Sequence, residues 1–151
     1  MLKSLEKQKL ELTTKTQNVN KIKQNTHLLA SKKFIGSVVS IEDNSAKVTL
    51  KITEEMVVDS YNLVHGGFVF GLADYAAMVA INEPTVVLGK SEVKFVKPVT
   101  LNDVLTAKAE IQNKTDGRKI KVAVVVLNDK KEIVFEGEFV CFVLEKHILK
   151  K

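Results

Sequence analysis

The stretch Asn62-Leu63-Val64-His65-Gly66-Gly67-Phe68-Val69-Phe70-Gly71-Leu72-Ala73-Asp74-Tyr75-Ala76-Ala77-Met78-Val79-Ala80-Ile81 decides the fold. After the glycine pair almost every residue is apolar, and apolar side chains occupy every face at helical spacing. Such a helix belongs inside a protein, buried all round. Between His65 and Glu83 stands a single carboxylate, Asp74. A carboxylate in an apolar helix costs on the order of a few kcal/mol unless it is paired, hydrogen-bonded or open to a cleft. Gly66 and Gly67 fall where the helix should start. There they let another molecule approach bare backbone N–H groups at the positive end of the helix dipole. A polarising helix start and a lone acid two turns on are the parts of a site.

Around this helix the chain alternates in the manner of strands. Residues 34–42 and 46–52 read as two strands joined by Asp43-Asn44-Ser45, with Ala46, Val48, Leu50 and Ile52 on a dry face and Lys47, Thr49 and Lys51 on a wet one. Residues 53–64 form a loop. The helix runs over 66–82 and is closed by Asn82-Glu83-Pro84, because proline cannot continue it. Four strands follow, over 86–97, 103–113, 118–127 and 132–144, with hairpin turns at 113–117 and 128–130. In the last, Glu132, Glu136 and Glu138 share a face with Val140, Phe142 and Leu144, which predicts cover over one end from a neighbouring subunit or the helix itself. Two strands, one helix with no polar face, then four strands predict an α+β fold in which an antiparallel sheet wraps one long central helix.

At 151 residues the chain is one domain with an appendage. The 45% apolar and 27% charged content is that of an ordinary globular protein, and no run of about 18 apolar residues predicts a membrane span. The Lys-rich start has no apolar core of the kind a signal peptide needs. The single cysteine, Cys141, excludes an internal disulfide and predicts a buried, inert thiol in a cytoplasmic protein. The basic charge is concentrated in residues 1–33, where eight lysines face two glutamates; the remainder is near neutral, so no nucleic-acid partner is expected. Residues 1–33 read as a basic leader, partly disordered or carrying one or two weak amphipathic helices that dock on a partner. Residues 34–146 are the folded domain and 147–151 a basic tail. No repeat or low-complexity segment is present.

The central stretch resembles the His-Gly-Gly helix of hotdog-fold acyl-CoA thioesterases of the phenylacetate-pathway type, and the resemblance covers roughly residues 34–144. In that family the acid nine residues after the His is catalytic, and here that residue is Asp74. The acyl-sensing domain of the malonyl-CoA-responsive repressor of fatty-acid synthesis is similar in pattern, including Pro84-Thr85 and Lys94-Phe95-Val96-Lys97-Pro98-Val99. It binds its ligand without hydrolysing it. Its helix-turn-helix domain has no counterpart pattern in residues 1–30.

The resemblance implies a hotdog fold, a homodimer or dimer of dimers joined through its sheets, and an acyl-CoA or acyl-carrier thioester as ligand, with no other cofactor. Asp74 becomes the general base or the nucleophile, supplied across the subunit interface, and the Gly66 N–H the oxyanion donor. The plain alternative for Asp74 is a loop cap or an ion pair with a lysine. His65 reads as positioning the loop rather than as a base, and Gly67 as close packing or a second donor. Asn62, Phe68, Phe70 and Lys94 are candidates for holding substrate; Met78 is a further acyl contact, and Lys90 and Lys97 further phosphate contacts. Each of these has a plain reading as core or solvated strand. His27 and His147 are remote in sequence, and no spacing resembles a metal site.

Two departures bear on catalysis. Where many of these thioesterases carry Asn six residues before the His, this chain has Asp59. Where many carry Ser or Thr ten residues before the strand's proline, counting back from Pro98 gives Leu88, with Thr85 and Ser91 nearby. A base without helpers is poorly oriented. Two readings therefore stand, a thioesterase and a non-catalytic acyl-CoA sensor, with a structural, partner-binding hotdog third. A hydratase reading lacks its Asp/His pattern.

Overall fold

The computed structural model describes residues 22–115 and 118–151. Its elements are β1 (Ser37–Glu42), β2 (Ser45–Lys51), a 3-10 turn (Glu54–Met56), α1 (Gly66–Ile81), β3 (Val86–Phe95), β4 (Val104–Thr115), β5 (Lys119–Leu127) and β6 (Ile133–Val143). The six strands form one sheet in the order β1-β2-β4-β5-β6-β3. Every neighbouring pair is antiparallel. Because β3 follows the helix yet pairs with β6, the chain crosses the sheet once, and β1 and β3 are left as its two edges.

The helix is buried as its composition requires. Leu72, Ala73, Ala76, Ala77 and Val79 have no measurable exposure, and the inner faces of β2, β4, β5 and β6 close over them with Val48, Leu50, Leu105, Ala107, Val122, Val126, Phe135 and Phe139. The small residues of α1 let the sheet come close and curl. The helix stops where Asn82 turns left-handed, at φ 58°, and its N–H reaches the Met78 carbonyl. Asparagine tolerates that conformation and proline two residues later forbids a return to helix.

The strands fall within a few residues of the positions expected from alternation. The largest difference is at β1, which starts at Ser37 rather than at 34. Ile35 and Gly36 donate to the Ser31 carbonyl in a turn, and Gly36 has φ +132° beneath Val48 and Leu72, where a Cβ would lie 2.8 Å from Val48 Cγ1. A chain turned that way cannot enter the ladder. In β6 the inner face carries Phe135, Phe139 and Cys141, all fully buried, while Val140 and Phe142 on the outer face are half-buried. Phe142 lies across Gly89 of β3, so part of the expected cover comes from the neighbouring strand rather than from the helix.

Of the expected leader, residues 1–21 lie outside the described residues. Residues 22–33 are turns and extended chain, not helix, and they are strapped to the end of α1. Asn82 accepts the Asn25 N–H at 2.7 Å and donates to the Lys23 carbonyl at 2.8 Å. Gln24 donates to the Tyr75 hydroxyl at 3.0 Å. A helix there would have hidden the backbone groups that make these bonds.

Candidate functional site

The entry to α1 is held by backbone bonds on three sides. Val64 donates to the Val99 carbonyl, His65 to the Met56 carbonyl and Phe68 to the His65 carbonyl. His65 is the N-cap residue, in extended conformation, and makes no side-chain cap. An uncapped start leaves the first N–H groups free of the helix. The N–H groups of Gly66 and Gly67 have no acceptor among the described residues. A Cβ on Gly66 would lie 3.1 Å from the Phe95 ring, and one on Gly67 3.1 Å from the His65 ring. The two glycines thus let aromatic rings flank an exposed pair of donors.

Asp74 lies two turns further on. Its Oδ1 is buried and has no hydrogen-bond partner among the described residues. Burial pushes its carboxyl up to about 6. Under it lies Cys141, whose thiol is pushed up to about 12, first by burial and then by the Asp74 charge. Among the described residues neither a capping bond nor a lysine holds the Asp74 Oδ1. The acid is in the state that a proton-transfer group requires, with its ionised form destabilised and one oxygen unused. That Cys141 lies beneath it is beyond the reach of sequence, because the contact depends on the pairing of β6 against the helix.

The remaining candidates divide. Phe70, one turn before Asp74 on the same helix face, packs on Phe139 and Phe135 at centroid distances of 5.6 and 6.5 Å. Phe68 turns the other way, 6.2 Å from both Phe34 and His65. Met78 is fully in the core. Asn62 has φ 65° and shapes the turn before the helix, its carbonyl accepting from Leu101. Asp59 is occupied within that turn, its Oδ1 accepting the N–H groups of Tyr61 and Leu63 at 3.0 and 3.1 Å. Thr85 donates to the Leu144 carbonyl at 2.6 Å. Lys97 is paired with Glu132. Lys94 is exposed and faces Glu136 across the β3–β6 ladder, on the sheet surface away from α1. Ser91 is opposite the fully buried Phe139 and so shares the helix-facing side of β3. A bulge between Leu88 and Lys90 shifts the register there, which is why a residue count from Pro98 lands on an apolar side chain.

Within one chain Gly66 and Asp74 do not meet. Eight residues of α-helix separate them by about 12 Å along the axis. The edge strand β3 borders the helix start, where Phe95 is 54% exposed and Val96, just past the strand, 42%. Among the described residues no group of three His, Cys, Asp or Glu side chains has metal-site geometry, and no helix is long and apolar enough to cross a membrane.

A single buried helix opening on His-Gly-Gly, wrapped by a six-stranded antiparallel sheet, defines a hotdog domain. The uncharacterized protein PH1136 from Pyrococcus horikoshii superposes on it with a TM-score of 0.83 at 53% identity, covering 85% of this chain and 98% of that one. The chain belongs to the same family of hotdog-fold proteins as that protein. The MaoC like domain profile matches residues 60–132. Over 114 residues, 76% of this chain, it is 44% identical to a quarter (25%) of the methylthioribose-1-phosphate isomerase of Aquifex aeolicus. Over 118 residues it is 31% identical to the transcription factor FapR of Caldanaerobacter subterraneus subsp. tengcongensis, covering 78% of this chain and 58% of that protein. The chain thus spans less than two thirds of the length of either curated relative. The protein smu.793 of Streptococcus mutans UA159, solved bound to acetyl CoA, aligns with a TM-score of 0.68 at 26% identity over 81% of this chain and 99% of that one.

Proposed function

We propose that this protein binds an acyl-CoA or acyl-carrier thioester at a site shared by two copies of the chain and hydrolyses it with Asp74. The observation that carries this reading is the buried, unpartnered Oδ1 of Asp74 on a helix whose first two N–H groups are also unpartnered. The thioester carbonyl takes the Gly66 N–H of one subunit. Asp74 of the other removes a proton from water, or attacks the carbonyl itself. In this reading a second copy lies antiparallel along the β3 edge, with one helix start towards the other chain's Asp74, and the exposed Phe95 and Val96 at that edge support it. The acetyl CoA bound by the Streptococcus mutans relative supports the ligand class.

A second reading is favoured by one observation. Asp59 and Thr85, two of the polar residues nearest the positions where thioesterases keep helpers, are engaged elsewhere, Asp59 within its own turn and Thr85 on the Leu144 carbonyl. With Asp74 unassisted, the protein binds the thioester and reports it, as the likeness to the transcription factor FapR supports. A thermal-shift titration with CoA and acyl-CoAs of graded length, run beside a thiol-release assay, separates the readings. Stabilisation with release is expected for the enzyme. Stabilisation without release selects the sensor, and neither effect overturns both.

A further inference from the structure

Two of the chain's three histidines, remote in sequence, line one cavity. His27 from the strap and His147 from the C-terminal tail, both partly exposed, line a half-open cleft of about 390 Å³ over the first half of β3, together with Val86, Val87, Leu88 and Ile148. This volume is that of a small-ligand pocket. Each ring is held by its Nδ1. That of His27 is 2.8 Å from the Thr26 hydroxyl, itself buried, and that of His147 accepts the Leu149 N–H at 3.0 Å. Neither Nε2 has a partner among the described residues. His27 also adopts φ 56°, a left-handed conformation that costs a side-chain-bearing residue about 1 kcal/mol or more. Strain of that kind in a cavity wall is a feature of sites.

The tautomer decides what such a site takes. Because the His147 Nδ1 accepts a backbone N–H, its lone pair is used, and the neutral ring carries its proton on Nε2. A metal would need the opposite arrangement, an Nδ1–H donating outward and a bare Nε2. Burial lowers the pKa of His27, which favours its neutral ring. The Thr26 hydroxyl can donate to its Nδ1, and in that tautomer the ring carries its proton on Nε2 as His147 does. The cavity therefore offers hydrogen-bond donors over an aliphatic wall, without a fixed full charge. That suits an oxygen acceptor on an apolar body, and it suits a multiply charged phosphate poorly.

We propose that this cavity is a binding site for a small monocarboxylic acid with an aliphatic or aryl body, its carboxylate between the Nε2 atoms of His27 and His147 and its body against Val87, Leu88 and Ile148. The site does not depend on thioester chemistry at Asp74, although an acid released by such hydrolysis belongs to the same class.

The test is a titration of the whole protein with butyrate, hexanoate and phenylacetate, followed by NMR of the imidazole C–H signals. Hexanamide, inorganic phosphate and zinc serve as matched probes. Saturable shifts of the His27 and His147 signals with the acids, His65 unmoved, are expected. Affinity should rise from butyrate to hexanoate and fall about tenfold or more for hexanamide, which lacks the charge. Val87→Trp, which fills the cavity and leaves both histidines in place, should abolish the shifts, and His147→Phe should weaken them at least as much as the amide does. Shifts confined to His65, tighter binding of zinc or phosphate, or no saturation by any acid up to ~50 mM would overturn the proposal, that ceiling corresponding to affinity too weak for a specific site. Unchanged shifts in Val87→Trp would overturn it as well. A thermal-shift response to acyl-CoA that survives in Val87→Trp keeps the outcome distinct from that of the shared thioester site.

Discussion

A carboxyl group pushed up to about 6 by burial makes a statement about stability as well as chemistry. The folded protein holds the Asp74 proton more tightly than the unfolded chain does, so the folded state binds more protons between the two pKa values. Folding stability linked to Asp74 is then greatest below about pH 4. It falls as pH rises towards about 6, by on the order of 3 kcal/mol for a shift of this size. Asp74→Asn keeps the shape and removes that penalty. Its melting temperature should rise by several degrees over the parent's at pH 8 and change little at pH 4; an equal effect at both pH values would show that ionisation of Asp74 is not the cause. The same variant should lose about a hundredfold or more of any thioester hydrolysis. The pH profile of that hydrolysis should climb through about 6 as the base ionises. A residue whose removal stabilises the fold while abolishing turnover is one retained for its chemistry. The burial of Asp74 was legible in the sequence because an acid in an otherwise apolar helix is carried into the core with it. Cys141 beneath it was legible only as a buried thiol, since alternation gives a face and not a neighbour.

Periodicity made α1 and six strands readable because burial forces it. What it could not reveal were the places where the backbone leaves its regular path. The bulge at Leu88 to Lys90 slides β3 against β6, and the turn at Ser31 keeps 34–36 out of β1. Each is set by a partner strand or a distant carbonyl, not by local pattern. Two element-level predictions follow from the geometry. Gly137 of β6 lies under Val93, where a Cβ would come within 2.6 Å of Val93 Cγ1 and 3.0 Å of the Glu92 carbonyl oxygen. Gly137→Ala should force β3 and β6 apart and lower stability by about 1–3 kcal/mol in urea denaturation, and an unchanged midpoint would mean the ladder yields freely there. Asn82 combines a left-handed helix end with two bonds to the strap. Asn82→Gly preserves the first role and deletes the second. Proteolysis within residues 22–30 should therefore accelerate while the helix core keeps its hydrogen-exchange protection. Equal loss of protection in the core would show that the strap and α1 unfold as one unit.

At the scale of the molecule, the parts of the proposed thioester site are about 12 Å apart on one rigid helix, so no side-chain movement can join them. The proposal therefore calls for a second copy, docked along the β3 edge, where Phe95 and the following Val96 are exposed. The arrangement can be tested without a structure of the dimer. Gly66→Pro removes the N–H proposed as oxyanion donor. Proline suits the first position of a helix, and His65 already has the extended conformation that a following proline demands. Homodimers of Gly66→Pro and of Asp74→Asn should both be inactive. When the two variants are co-expressed and pair at random, half of the dimers are mixed. In a mixed dimer one site combines both lesions and the other combines an intact Gly66 from one chain with an intact Asp74 from its partner. Activity should therefore return to about a quarter of the parent's, from one working site in every second dimer. A site built within a single chain predicts no recovery at all, since every chain then carries a lesion in its own site.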